Sequence, residues 1–224
     1  MRPVYNKQEI INSTFKWVDN AVIGHGLCPF AASIRRKSNQ ALRCHISEAN
    51  DLTQLLTDVR TELNLICEDL EKNPDQLDLI EGSLLVIPSN NLKSINNNRD
   101  QDQSTISNTF LADYRSFVHA SWEVQAVIEE LGLSEKIQIV LFHPKAVHSL
   151  YRPEDHVEPA DYAIRSPYPT LHFLREKDIL SAVKSNYNQP ELIPERNAKK
   201  LGQIGLPLLE QEWALFSDPT THKS

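Results

Sequence analysis

The sequence predicts an α/β (or α+β) fold: a small, mostly parallel sheet of three or more strands covered by helices, with a helical C-terminal region. Three observations predict it. Short apolar runs of strand length alternate with longer segments of helical periodicity, the order expected of βαβ units. One of those runs, Ser83-Leu84-Leu85-Val86-Ile87, is continuous rather than alternating, as in a strand covered on both faces. Hydrophobic residues make up 40% and charged residues 24% of 224 positions, ordinary globular usage with ample material for a core, and no repeat or linker divides the chain. The expected organisation is a single globular domain over 1–217, containing a flexible polar insertion at 90–104, and a frayed tail at 218–224.

The elements follow in order. Ile10, Ile11, Phe15, Trp17, Val18, Ala21 and Val22 recur at helical spacing over 6–23, and Gly24 and Gly26 end that helix. Pro29 suits the first position of a short helix over 29–36, which makes Cys28 its N-cap. A strand is expected over 41–47. Asn50 or Asp51 caps a helix reaching about 72 on Leu52, Leu55, Leu56, Val59, Leu63, Ile66 and Leu70, and Asn73-Pro74 ends it. The strand 83–87 stops at Pro88. The insertion 90–104 has almost nothing to bury. A long helix over 107–131 ends at Gly132, and 137–142 is the third strand. The connection 143–167 carries His143, His148 and His156 and few core residues, the kind of long loop that is functional or disordered. Pro169 then opens a helix reaching about 186, and two short helices over 190–201 and 207–216 complete the chain.

Charge and composition exclude several functions. With 30 acidic and 23 basic side chains the net charge is -7, which argues against a nucleic-acid partner bound through phosphate neutralisation. No apolar run approaches the roughly 18–20 residues that span a bilayer, so no membrane partner is expected. The first residues lack the apolar core of a signal peptide, and three cysteines cannot all pair within one chain; a cytoplasmic location with free thiols is the expectation. Only 6 glycines leave little from which to build phosphate-binding loops.

Three local clusters carry chemistry. In Gly26-Leu27-Cys28-Pro29-Phe30 a thiol at a helix N-cap meets free backbone N–H groups and the positive end of the dipole, which favours the thiolate. The competing reading of Cys28 is a small buried hydrophobe. Cys44 and Cys67 lie on element faces and read as structural. His143, in Phe142-His143-Pro144 at the carboxyl end of a strand, is placed where open α/β sheets bind ligands. It reads either as a general base or ligand, or as a cap for the following loop. In Arg165-Ser166-Pro167-Tyr168-Pro169-Thr170-Leu171-His172-Phe173-Leu174-Arg175-Glu176, a helix would put His172, Arg175 and Glu176 on one face, with Arg165 just before its N-terminus. That makes a clamp for a carboxylate or phosphate, or equally an ion-pair network holding the loop, with Asp161 pairing Arg165.

Taken in order, Cys28-Pro29-Phe30-Ala31, Leu84-Leu85-Val86-Ile87-Pro88, Phe142-His143-Pro144, the Arg165-to-Glu176 block and Ile193-Pro194-Glu195-Arg196-Asn197 resemble a bacterial domain-of-unknown-function family, number 1415. The resemblance runs from about Trp17 to Gly205 and brings no activity with it. It implies that Cys28, His143, Arg165, Ser166, His172, Arg175, Arg196 and Asn197 stand at motif positions. The family usually has Asn before the Arg-Ser-Pro block, where this chain has Ile164.

The expectation is an enzyme acting on a small anionic ligand, a carboxylate or phosphate. Cys28, His143 and His172 are its catalytic candidates, and Arg165, Ser166, Arg175 and Arg196 bind the substrate. His143, Arg165 and His172 should then line one site at the carboxyl ends of the strands. A zinc-type hydrolase with Cys28, His143 and His172 as ligands is the alternative, although no tight ligand spacing supports a metal and the sequence names no cofactor. A non-catalytic protein binding a small ligand or a partner is the third. The sequence decides neither substrate nor oligomeric state.

Overall fold

The computed structural model describes residues 6–37, 41–72, 80–88, 111–153, 155–176 and 190–217. The insertion expected at 90–104 and the tail at 218–224 lie outside them. Helix α1 (Lys7–Trp17) starts at Asn6, whose side chain accepts from the Gln8 N–H, and continues into a π-helical segment, Val18–Ile23. The short α2 is Ala31–Lys37 and strand β1 is Leu42–Ile46. Asp51 caps α3 (Leu52–Lys72), its carboxylate accepting from the Gln54 N–H at 2.8 Å. Strand β2 is Gly82–Val86. Helix α4 (Tyr114–Glu130) starts seven positions later than its expected 107, because Asp113 caps it and Leu111 just before takes a left-handed φ of 58°. Strand β3 is Ile137–Phe142.

The helix expected from Pro169 is instead a strand, β4 (Thr170–Arg175). Its residues alternate: Leu171 and Phe173 enter one core cluster, while Leu174 enters the other. That period of two decides for a strand over the sparser matches at helical spacing. The expected shared face of His172, Arg175 and Glu176 is therefore lost. After residues outside the described set come a 3₁₀ turn (Pro190–Leu192), α5 (Ile193–Ile204) and α6 (Leu206–Ser217).

Among the described residues four strands form one sheet, in the order β1-β2-β4-β3. β1 and β2 are parallel, whereas β4 is antiparallel to both β2 and β3. The three strands legible in the sequence thus all run the same way. The fourth is threaded between two of them in reverse, so the sheet is mixed and mostly antiparallel in its pairings rather than mostly parallel, and the fold is α+β.

Each face of the sheet buries a separate core. Leu42, Ile46, Leu84, Val86, Phe142 and Leu174 pack with α1, the π segment, α2, α5 and α6, around Trp17, Val18, Leu201 and Trp213. Leu85, Ile87, Ile137, Leu171 and Phe173 pack under α3 and α4, against Leu55, Leu63, Phe117 and Val124. The buried Glu62 of α3 accepts from Arg43 of β1 at 2.9 Å and from the Ser83 hydroxyl of β2 at 2.7 Å, tying the helix to two strands. Phe173 is fully buried on β4. Its replacement by Ala is expected to lower unfolding free energy by about 3–5 kcal/mol in urea titration.

Candidate functional site

On the face covered by α1 and α2 lies a cavity of about 40 Å³. Its wall is mostly aliphatic and aromatic: Val18 and Val22 from the π segment, Ile34 from α2, Leu42 and Leu84 from the sheet, and Phe142. Three polar side chains interrupt it, Trp17, Cys28 and His172. The Trp17 indole Nε1 and the His172 Nε2 are both buried with no hydrogen-bond partner. Trp17 is 2% exposed and meets Phe142 edge-on, with ring centroids 5.1 Å apart, and Phe142 in turn lies 6.3 Å from the His172 ring. An unmatched buried donor or acceptor costs about 1–3 kcal/mol; neither nitrogen has open surface toward the cavity, whose wall is almost wholly apolar.

The backbone that carries Cys28 is held from several sides. The π segment lets the chain leave α1 with an i to i−5 bond, Gly24 N–H to the Asp19 carbonyl at 3.1 Å. Gly24 is needed there because a Cβ would lie 1.9 Å from the Asn20 carbonyl oxygen. Beyond it, the Arg196 guanidinium donates to the Gly26 carbonyl at 3.1 Å and the Asn197 amide donates to the Leu27 carbonyl at 2.8 Å. His25 meets Glu212 at 2.6 Å and stacks on Trp213. Helices α5 and α6 thus fix the three residues that precede Cys28. π-helical insertions occur often at functional sites, and here one supplies two residues of the cavity wall.

Opposing influences act on the thiol. Burial pushes the Cys28 pKa up; hydrogen bonds from the Phe30 and Ala31 backbone N–H groups and the Arg196 charge pull it down but do not win. The backbone donors foreseen for an N-cap are therefore present, but the expected net lowering of the pKa is not. Burial also lowers His172 to about 4, so its imidazole is neutral at pH 7. Gly82 leaves room for that ring, since a Cβ there would sit 3.1 Å from Nε2.

The other expected site residues lie elsewhere. His143 is on the opposite side of the sheet from His172, 5.6 Å from the Tyr114 ring and 5.4 Å from Phe117. Its Nδ1 accepts from the Lys145 N–H at 3.0 Å, which leaves Nε2 to donate to the Leu111 carbonyl at 3.0 Å. The neutral ring is fully engaged as a cap between loops, and burial holds its pKa at about 4. Arg165 donates to the Ala146 carbonyl at 3.0 Å and lies over the Tyr162 ring, and Ser166 donates to the Tyr168 carbonyl at 2.6 Å. Asp161 pairs with Arg152 and His148 rather than Arg165. By strand alternation Arg175 is on the face of β4 away from His172, and it is buried. Arg196 positions the Cys28 loop. Neither the shared site of His143, Arg165 and His172 nor the ligand set Cys28, His143 and His172 is assembled. Among the described residues no group of three His, Cys, Asp or Glu side chains could hold a metal ion.

Trp17 was read in the sequence only as a core residue, and nothing in its helical spacing marks the indole nitrogen as unmatched. The adjoining π segment left one trace, a glycine pair placed soon after an aromatic helix end.

The family model described as "Protein of unknown function (DUF1415)" matches residues 9–211, and the chain belongs to that family. No curated protein and no solved structure matches it. Among the described residues no helix is long and apolar enough to cross a membrane, and Cys28, Cys44 and Cys67 are free thiols.

The buried His143 makes a pH prediction. Above pH 6.5 the ring is neutral in both folded and unfolded chains. Between 6.5 and about 4 the unfolded chain gains a proton that the folded one refuses. Stability is therefore lost as pH falls through that window, by a total on the order of 3 kcal/mol from this residue. Urea titrations at pH 7 and pH 4.5 should show His143→Gln less stable than the wild type at pH 7, and the gap narrowing at pH 4.5.

Proposed function

We propose that the protein is an enzyme in which Cys28 attacks a small substrate held in the cavity and His172 takes the thiol proton. The observation that carries this is that the Cys28 and His172 side chains stand in the wall of one small, almost wholly apolar cavity. The fixed backbone before Cys28 supports it, because a nucleophile works only when held in near-attack geometry. At rest the pair is neutral thiol and neutral imidazole. As sulfur attacks, the proton passes to His172, and the Phe30 and Ala31 N–H groups with the Arg196 charge stabilise the developing negative sulfur.

The substrate has little or no net charge, since no charged side chain lines the cavity and an unpaired buried charge is costly. This replaces the carboxylate or phosphate expected from the arginines, which make their contacts elsewhere. Free thiols suit a reducing, cytoplasmic setting. A non-catalytic site for a small ligand is the second reading, favoured by the raised pKa of Cys28.

The two readings differ in the pH dependence of alkylation. With His172 as base, and its pKa about 4, the rate of Cys28 modification by methyl iodide should be nearly flat from pH 6 to 8 and fall toward pH 4. His172→Gln should convert it to the tenfold rise per pH unit of an unassisted buried thiol. A tenfold rise per unit already in the wild type would favour the non-catalytic site. Adducts are read by peptide mass mapping, which separates Cys28 from Cys44 and Cys67.

A further inference from the structure

Resting on that reading of Cys28 and His172, we infer that the part of the substrate held in the cavity is a bare, small hydrocarbon group, and that any hydrogen-bonding group it carries stays outside the wall. Val18, Val22, Ile34, Leu42, Leu84 and Leu174 make the wall aliphatic on both its helical and its sheet side. No charged side chain lines the space, and the Trp17 Nε1 and His172 Nε2 atoms are closed off by protein. A hydroxyl or carbonyl brought inside would give up its hydrogen bonds to water and find no partner, at a cost of roughly 5- to 150-fold in affinity. A hydrocarbon group gives up no such bonds and gains by leaving water, and apolar cavities stay dry and accept such groups.

Size and placement narrow the class further. A space of about 40 Å³ holds around three water-sized groups, the scale of a propyl or isopropyl group. Leu42, Leu84 and Leu174 of the sheet are buried, whereas Cys28, Phe30 and Ala31 are only partly so. The hydrocarbon end therefore points toward the sheet, and the reacting carbon lies on the Cys28 side, where a polar remainder can stay in water. No polar contact orients the group inside the wall, so selection is by shape and size. A methylene more than the space admits has to displace packed side chains.

The test titrates the full chain, carrying isotopically labelled Val, Leu and Ile methyl groups, with propane and with ethanol, which puts a hydroxyl where propane has a methyl. Propane should shift the NMR signals of the Val18, Val22, Ile34 and Leu84 methyls, with an apparent affinity roughly tenfold or more above that of ethanol. It should also slow the modification of Cys28 by methyl iodide, read by mass mapping, and leave Cys44 and Cys67 unchanged. Ethanol binding as tightly as propane, or no methyl shift with either, would overturn the inference. Methyl shifts without any slowing at Cys28 would place the hydrocarbon away from the thiol and overturn it as substrate. The reading of Cys28 fails separately. Propane bound at these methyls, with wild-type alkylation rising tenfold per pH unit, would remove the nucleophile and base and leave an apolar ligand site. Alkylation that is flat with pH, with no propane bound, would keep the pair and remove the hydrocarbon group.

Discussion

The antiparallel insertion of β4 between β2 and β3 is the constraint on which the site depends. Because side chains alternate along a strand, placing Leu171 and Phe173 under α3 and α4 obliges His172 and Leu174 to face α1 and α2. A shift of one residue in register would exchange the two faces and put the imidazole into the opposite core. The register pairs His172 with Leu84 on one side and Val140 on the other. This sets the ring on the sheet floor beneath the π segment. The Arg165-to-Thr170 stretch serves this placement. Ser166 and Thr170 both donate to the Tyr168 carbonyl, and the Ile87 N–H donates to the Pro169 carbonyl at 2.8 Å. The proline-rich turn thereby fixes where β4 begins.

A second constraint acts from above the sheet. Cys28 sits between a π-helical exit from α1 and the start of α2, and the N–H groups of Gly24, His25, Gly26 and Leu27 bond back onto the π segment. The partners of its carbonyls come from a distance in sequence: Arg196 and Asn197 of α5 bind the Gly26 and Leu27 carbonyls, and Glu212 of α6 binds the His25 ring. A side-chain bond to a backbone carbonyl contributes about 1 kcal/mol on average. Two such contacts and the His25–Glu212 side-chain pair, on three consecutive residues, exceed what an ordinary surface turn requires. They hold the backbone next to a cavity that keeps two polar atoms unmatched, which is the arrangement expected where stability is yielded to function.

Much of this was legible in the sequence, and the failures have physical causes. Continuous burial marked β2, helical periodicity marked α1, a cap marked α3, and glycines marked the exit from α1. These signals are local, and local signals survive folding. Cys28 and His172 were both singled out, and they do share a cavity. His172 nevertheless stands on a strand where its spacing to Arg175 and Glu176 predicts a helix. Leu171 and Leu174 satisfy a helical spacing, while Leu171 and Phe173 satisfy a strand spacing, and over six residues only the packing partners decide. The same difficulty gave His143 the wrong neighbours. A strand-end histidine reads identically whether it faces a ligand or, as here, closes a loop through Leu111 and Lys145. The arginines failed for another reason: guanidinium groups that bind carbonyl oxygens look the same in sequence as those that bind anions.

The resting state of the thiol is the remaining step. A permanently ionised cysteine in this cavity would be a buried charge, and the Arg196 cation that acts on it already donates to the Gly26 carbonyl. Burial resolves the conflict by keeping Cys28 protonated and His172 neutral. Such a pair is inert toward bulky reagents from solvent, and its thiol is shielded from oxidation because the thiolate is the reactive form. Under the proposed function it gains reactivity when a molecule small enough to enter offers an atom that accepts charge as the proton leaves sulfur. The low polarity of the wall, which raises the thiol pKa, also strengthens any hydrogen bond formed to that accepting atom. The property that keeps the cysteine quiet is therefore the apolar wall itself, which disfavours the thiolate more than the Phe30 and Ala31 N–H groups favour it.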